Sequence, residues 1–200
     1  MIYIRFKCVC PDLKAYYKYK CLHSLCNAHH LRELERAWEE DGQSWAKQMQ
    51  ELLKAMNISV NNAGGILPQD EISKYKKEYR IILKEGGKEF PSDDAIKKLG
   101  CRGRPKRTKS HNLLKRLVDY EDDVLRFMED KNVPFTNNRS ERDIRMTKVQ
   151  QKISGCFRSL EGAKIFCRIR SYISTCKKNG ISSIQALNML FNGELPVFMK

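Results

Sequence analysis

Apolar side chains recur every three or four residues along most of this chain, and that period commits it to helices. Trp45, Met49, Leu52, Leu53 and Met56 make one such stripe, and Ile72, Tyr75, Tyr79 and Leu83 make another. A first helix is expected from about Asn27 to Glu40, with Leu31, Leu34 and Trp38 on one face and Asp41-Gly42 as its interruption. Pro68 is placed to open the Ile72 helix and Gly86-Gly87 to end it. Helix is expected again from about Asn112 to Asp130, from about Ser159 to Lys178, and from Ser182 to about Phe191. Asn179-Gly180 supplies the stop between the last two. Asn61 to Gly65 reads as a loop, and Lys88 to Ser110, rich in Pro, Gly and charge, as an exposed linker. Ile2 to Val9 alternates apolar and polar residues as a strand does. The fold expected is mainly α with few strands.

Charge narrows the choice of partner. The 200 residues hold 38 Lys and Arg against 24 Asp and Glu, a net charge of +14. Such an excess points to a polyanion, with nucleic acid first and an anionic membrane surface second. Hydrophobic residues make up 41% of the chain, enough to bury a core, so wholesale disorder is not expected. No apolar run approaches the roughly twenty residues of a membrane span, and no leader pattern is visible, so the expected location is cytoplasmic. The eight cysteines are scattered through helical segments rather than spaced as a disulfide framework, and reduced thiols are expected.

The chemistry concentrates in Asn137-Asn138-Arg139-Ser140-Glu141-Arg142-Asp143-Ile144-Arg145-Met146. Asn138 or Ser140 can cap a helix here. Ile144 and Val149 can face inward, while Arg142, Arg145 and Lys148 recur at helical spacing. An acid beside a cationic stripe suits a site where a carboxylate holds a divalent metal and cations hold phosphates. A capped, salt-bridged surface helix is the plainer alternative.

Asn137-Asn138-x-x-Glu141-Arg142, Ile144-Arg145, Lys148 and Lys152 through Arg158 resemble the C-terminal catalytic block of insertion-sequence 66 family transposases. Three further blocks agree in order: Leu22 through Leu34, Gly103-Arg104-Pro105-Lys106 through Leu114, and Val124 through Met128. The resemblance implies a ribonuclease H-like α/β catalytic domain, truncated here and carrying a helical insertion. It implies an Asp, Asp, Glu triad holding Mg2+ (or Mn2+) for cleavage and transfer of DNA strands. Glu141 matches the third acid. Aligned without a gap, the second Asp falls on Pro11, and Asp12 stands one residue later, a slip that turns a side chain to the other face of a strand. The first Asp belongs on an earlier strand, for which this sequence offers no counterpart. The expected partners are terminal inverted repeats, target DNA, and a second copy or a full-length transposase, with no membrane. The segments implied are 1–28 as a core remnant, 29–109 as helical insertion and basic linker, and 110–200 as C-terminal core helices. The expectation is a transposase fragment inactive alone. A noncatalytic DNA-binding or regulatory remnant is the alternative, and a zinc-stabilised helical module the third.

Two other groups carry chemistry. Cys26-x-x-His29, with Cys21, His23 and His30 nearby, offers zinc ligands, though a structural zinc wants four. A core cysteine and a histidine bonded to backbone fit the same residues. Arg102, Arg104, Lys106, Arg107 and Lys109 form a run without an acid, suited to phosphate contact without sequence readout. On the later helices, Lys164, Arg168, Arg170, Lys177 and Lys178 lie across from Ile165, Phe166, Ile169, Tyr172 and Ile173, a pattern expected to pack on the core. Asp119, Glu121, Asp122, Asp123, Glu129 and Asp130 are expected to be a solvated acidic face.

Overall fold

A computed structural model of the chain describes Tyr17, residues 22–90 and residues 107–199; for Arg139, Ser140, Glu141, Asp143 and Ile144 it describes the backbone only. Every regular element among the described residues is helical. The expected strand at Ile2 to Val9 lies outside them. By contacts the chain divides into two compact units, one ending at Asn137 and the other beginning at Asn138.

The first unit is built from α1 (Asn27–Glu39), α2 (Ser44–Asn62), α3 (Gln69–Lys88) and α4 (Lys109–Asp119), followed by the short α5 (Glu121–Leu125) and a 3-10 turn at Arg126–Met128. α1 packs on α2 and α2 on α3, while α4 returns to pack on both α1 and α3. The two predicted stripes meet inside this ring. Trp45, Met49, Leu53 and Met56 from α2 face Tyr79 and Leu83 from α3, with Leu113 and Leu117 from α4. Burying side chains of this size contributes about 1.5–3 kcal/mol each before the cost of ordering them.

Several expectations need correction here. α1 buries Asn27, His30, Leu34 and Ala37, and Trp38 is 43% exposed. The buried stripe therefore sits one position toward the N-terminus from the Leu31, Leu34, Trp38 face. Gly86-Gly87 does not end α3, which runs through to Lys88. Gly86 is instead a close-approach residue: a Cβ there would lie 2.5 Å from Trp45 Cγ and 2.8 Å from Leu114 Cδ1. The linker expected from Lys88 to Ser110 is shorter at its far end, because the Thr108 side chain accepts from the His111 amide and starts α4 at Lys109. The single helix expected from 112 to 130 breaks at Tyr120 (φ −123°, ψ 33°). The break lets Val124, Leu125, Phe127 and Met128 all turn into the core. α4, on the far side of that linker, packs within the first unit; this is why the contact boundary falls after Asn137 while the sequence motifs suggest one at 109/110.

The expected acidic face is tied down rather than merely solvated. Arg80 bonds Glu121 at 2.8 Å, Lys76 bonds Glu129 at 2.7 Å, and Arg126 bonds Asp123 at 2.9 Å. Tyr79 donates its hydroxyl to the Leu117 carbonyl at 2.9 Å, satisfying one of the free acceptors at the end of α4.

The second unit holds α6 (Asn138–Ser154), α7 (Leu160–Lys178), α8 (Ser183–Phe191) and a 3-10 turn at Val197–Met199. Ser159 starts α7 through its bond from the Gly162 amide, and Ser182 with Gln185 closes a capping box on α8. Gly180 (φ 80°) takes the left-handed conformation that ends α7. α7 and α8 pack together, and Tyr172 donates to the Ala186 carbonyl at 2.7 Å. Within its unit α7 buries Cys176 alone, so the expected apolar stripe is not packed away: Ile165 and Ile169 are 49% and 45% exposed.

Candidate nucleic-acid interface

α6 carries the Glu141 block. It begins at Asn138, so Glu141 lies in its first turn, where backbone amides without helical partners favour an anion. The Glu141 side chain lies outside what is described. Arg142, Arg145 and Lys148 follow on α6, and all three are exposed. Spaced three residues apart, they give a rising line of cations on one helix. Two more of the expected phosphate contacts, Arg107 (half-buried) and Lys109 (exposed), belong to the first unit. Arg102, Arg104 and Lys106 lie outside the described residues, as does Asp12.

The Cys-x-x-His segment is a structural junction. Cys26 is 3% exposed, and its Sγ accepts the Asn137 amide at 3.3 Å, immediately before α6 in the chain. Around it, the Leu25 amide donates to the Asp123 carbonyl at 2.9 Å and the Asn27 amide to the Phe135 carbonyl at 3.1 Å. The Asn27 side chain donates to the Val124 carbonyl at 3.0 Å, and Arg126 donates to the His23 carbonyl at 2.7 Å. Asn27 thus spends its amide hydrogens on Val124, so its Oδ1 is an acceptor. The His30 Nδ1 that lies 3.2 Å from that oxygen therefore carries the ring proton. His30 is buried, and its pKa is lowered to about 3, first by burial, then by the Arg116 guanidinium and by His29. It is a neutral core histidine at physiological pH. His29 is half-buried, one residue earlier on α1.

Sequence reasoning missed two groups. One is the Asn27–His30 pair with the Asp123–Arg126 pair, which together tie the start of α1 to α5 and the 3-10 turn that follows it. Its signal was a polar residue at each helix-facing position, Asn27 and His30, where the apolar period has a gap. The other is a cleft in the second unit, lined by Thr147 from α6 and by Cys167, Arg170, Ser171, Ser174, Thr175 and Lys178 from α7.

Among the described residues, no three His, Cys, Asp or Glu side chains converge where a metal ion could sit. Cys26 and His29 are thus not joined there by further ligands into a zinc set of four. Nor do the described residues complete the oxygen shell that magnesium requires.

The sequence profile of the Transposase IS66 family matches residues 6–165, four-fifths of the chain. The chain belongs to the IS66 family of transposases. The matched region contains both the Cys26 junction and the Glu141 block of α6, and it stops within α7. A stretch of 70 residues is 36% identical to an uncharacterised protein, y4jO, of Sinorhizobium fredii (strain NBRC 101917 / NGR234). That stretch covers 35% of this chain and 22% of the relative. No solved structure matches the chain. None of the helices among the described residues is long and apolar enough to cross a membrane.

Proposed function

We propose that this IS66-family chain takes part in DNA transposition by gripping DNA through α6, and that it does not cut DNA alone. The observation that carries the reading is the family match spanning Glu141 together with the exposed Arg142, Arg145 and Lys148 on the same helix. Cations at this spacing neutralise neighbouring phosphates and release counterions, which supplies sequence-independent affinity. Arg107 and Lys109, with Arg102, Arg104 and Lys106 before them, extend the same chemistry in the first unit.

In this reading the second unit contributes the Glu-bearing helices of a ribonuclease H-like centre, with Glu141 as one of its three carboxylates. Divalent-metal dependence is expected of the family, and a bound Mg2+ or Mn2+ would supply Lewis acidity at phosphorus. In the sequence Pro11 stands where the second Asp would align and Asp12 is one residue late, which is why cutting by this chain alone is not expected. The natural substrates are the terminal repeats of the element and a target duplex, handled in company with a second transposase chain.

One experiment separates binding from cutting. A labelled duplex carrying the element's terminal repeat is incubated with this chain and Mg2+, then run on native and denaturing gels. The expected result is a shifted band on the first and intact strands on the second. Magnesium-dependent strand scission by this chain alone would overturn the reading.

A further inference from the structure

The last helix of the second unit carries its apolar stripe on the outside. α8 packs on α7, and its one buried side chain is the small Ala186, whose carbonyl accepts the Tyr172 hydroxyl at 2.7 Å. Ile184, Leu187, Asn188 and Phe191 stand at i, i+3, i+4 and i+7, one continuous face of an α-helix opposite Ala186. Ile184 is 74% exposed and Phe191 85%, while Leu187 is half-buried. A helix packed for its own unit alone would bury that stripe and leave the small residue outside. Contiguous apolar surface left outside marks a place for a partner.

Charge selects the partner. Residues 138–200 carry a net +8, yet from Asn179 to Gly193 there is no Asp, Glu, Lys, Arg or His. DNA needs cations on the surface it meets, and a helix lying in a membrane interface carries Lys or Arg on its polar face; α8 offers neither. A two-fold contact lays a surface on itself, so every charge near the axis meets its like. In a unit this basic, an uncharged stretch is where two copies can approach without repulsion. The stripe is also self-complementary. Packed antiparallel, two α8 helices set Ile184 of one against Phe191 of the other, twice. Leu187 and Asn188 then lie at the centre, where two carboxamides can exchange hydrogen bonds.

We propose that α8 is a self-association surface that joins two copies of this chain about a two-fold axis near Leu187 and Asn188. It gives a contact to the second transposase chain invoked above and to that extent rests on that reading. It uses none of the α6 cations, and it lies beyond the family-matched residues. A helix of nine residues is about 13 Å long, a contact at the small end of interface sizes, so the dimer is weak, with a Kd of roughly 10 µM.

Sedimentation equilibrium of the full chain without DNA, from about 1 to 100 µM, reads the association. The expected result is a monomer–dimer equilibrium that Ile184→Gln/Phe191→Gln weakens about tenfold or more. Ile153→Gln/Leu160→Gln, which changes two equally exposed apolar side chains elsewhere on the unit, should leave it within about twofold. Asn188→Asp and Asn188→Lys should each be monomeric alone and associate when mixed, because only the mixture sets opposite charges across the axis. Circular dichroism checks that each variant keeps its helices. A chain that stays monomeric throughout overturns the proposal, and so does a dimer that both apolar pairs weaken equally. Mixed Asn188 variants that stay apart overturn the two-fold arrangement. A monomer that co-sediments with vesicles of phosphatidylcholine and phosphatidylglycerol overturns it too, reassigning the face to a membrane. Duplex binding is followed separately by fluorescence anisotropy; its absence with the dimer intact overturns the α6 reading and not this one.

Discussion

The two units of this protein spend their residues differently. In the unit ending at Asn137, Trp45, Met49, Leu53, Met56, Tyr79, Leu117 and Met128 are at most 1% exposed, and acid–base pairs stitch α3 to the segment after α4. In the unit beginning at Asn138, Ile153, Leu160, Ile184, Phe191 and Val197 are all at least 74% exposed, and α7 and α8 bury little beyond Cys176 and Ala186. Charge divides the other way. The second unit holds +8 of the net +14 in 63 residues, leaving +6 for the first 137. The first unit therefore owes its stability to burial. The second invests in a cationic surface whose mutual repulsion an anion relieves.

Stability measurements can break that contrast. The largest effect is expected at the centre of the first unit: Trp45→Ala should cost about 3–5 kcal/mol in urea unfolding. Phe191→Ala, at a side chain 85% exposed, should cost no more than about 0.5 kcal/mol. Comparable losses at the two positions would mean that the second unit is as tightly packed as the first.

The next effect is a pH dependence confined to the first unit. His30 takes up a proton at about pH 6.5 when unfolded, but when folded only near pH 3. The unfolded chain thus binds more protons across that window, and stability falls as pH drops from 6.5 toward 3. The loss should reach about 2–3 kcal/mol by pH 4.5, and the His30 variant separates it from the carboxylates that also titrate near there. His30→Gln should flatten the curve between pH 6.5 and 4.5. An unchanged slope in that variant would place the titration elsewhere.

Gly86→Ala should cost about 1–3 kcal/mol, because the added methyl would lie 2.5 Å from Cγ of the buried Trp45 ring, which has no flexible end to move aside. On propensity alone the change should stabilise a helix by about 1 kcal/mol. The sign of the measured effect therefore decides whether close approach or helix propensity rules that position.

These positions also mark how far the sequence could be read. The stripes of α2 and α3 were legible because they depend only on local period. Gly86 was misread as a stop because its role depends on Trp45, forty-one positions away. Trp38 was misplaced because Leu34 lies on either of two overlapping faces, and only packing chooses the one through Ala37. The broken helix at Tyr120 escaped notice for a similar reason: Leu113, Leu117, Val124, Leu125 and Met128 keep a helical rhythm across the bend. The Glu141 block was legible as a motif, since its residues are contiguous. The cleft on the second unit was not, since serines and threonines on a helix carry no distinctive period and Thr147 comes from a different helix.

The central claim is that DNA is held chiefly through α6 rather than by net charge in general. The direct test is the salt dependence of duplex binding for Arg142→Gln/Arg145→Gln/Lys148→Gln. The comparison is Lys54→Gln/Lys77→Gln/Lys84→Gln, which removes the same charge from exposed sites on α2 and α3. The α6 set should flatten the slope of log K against log salt by about 2–3 and the other set by less than about 1. Equal flattening by the two sets would contradict the claim and make the binding a property of overall charge.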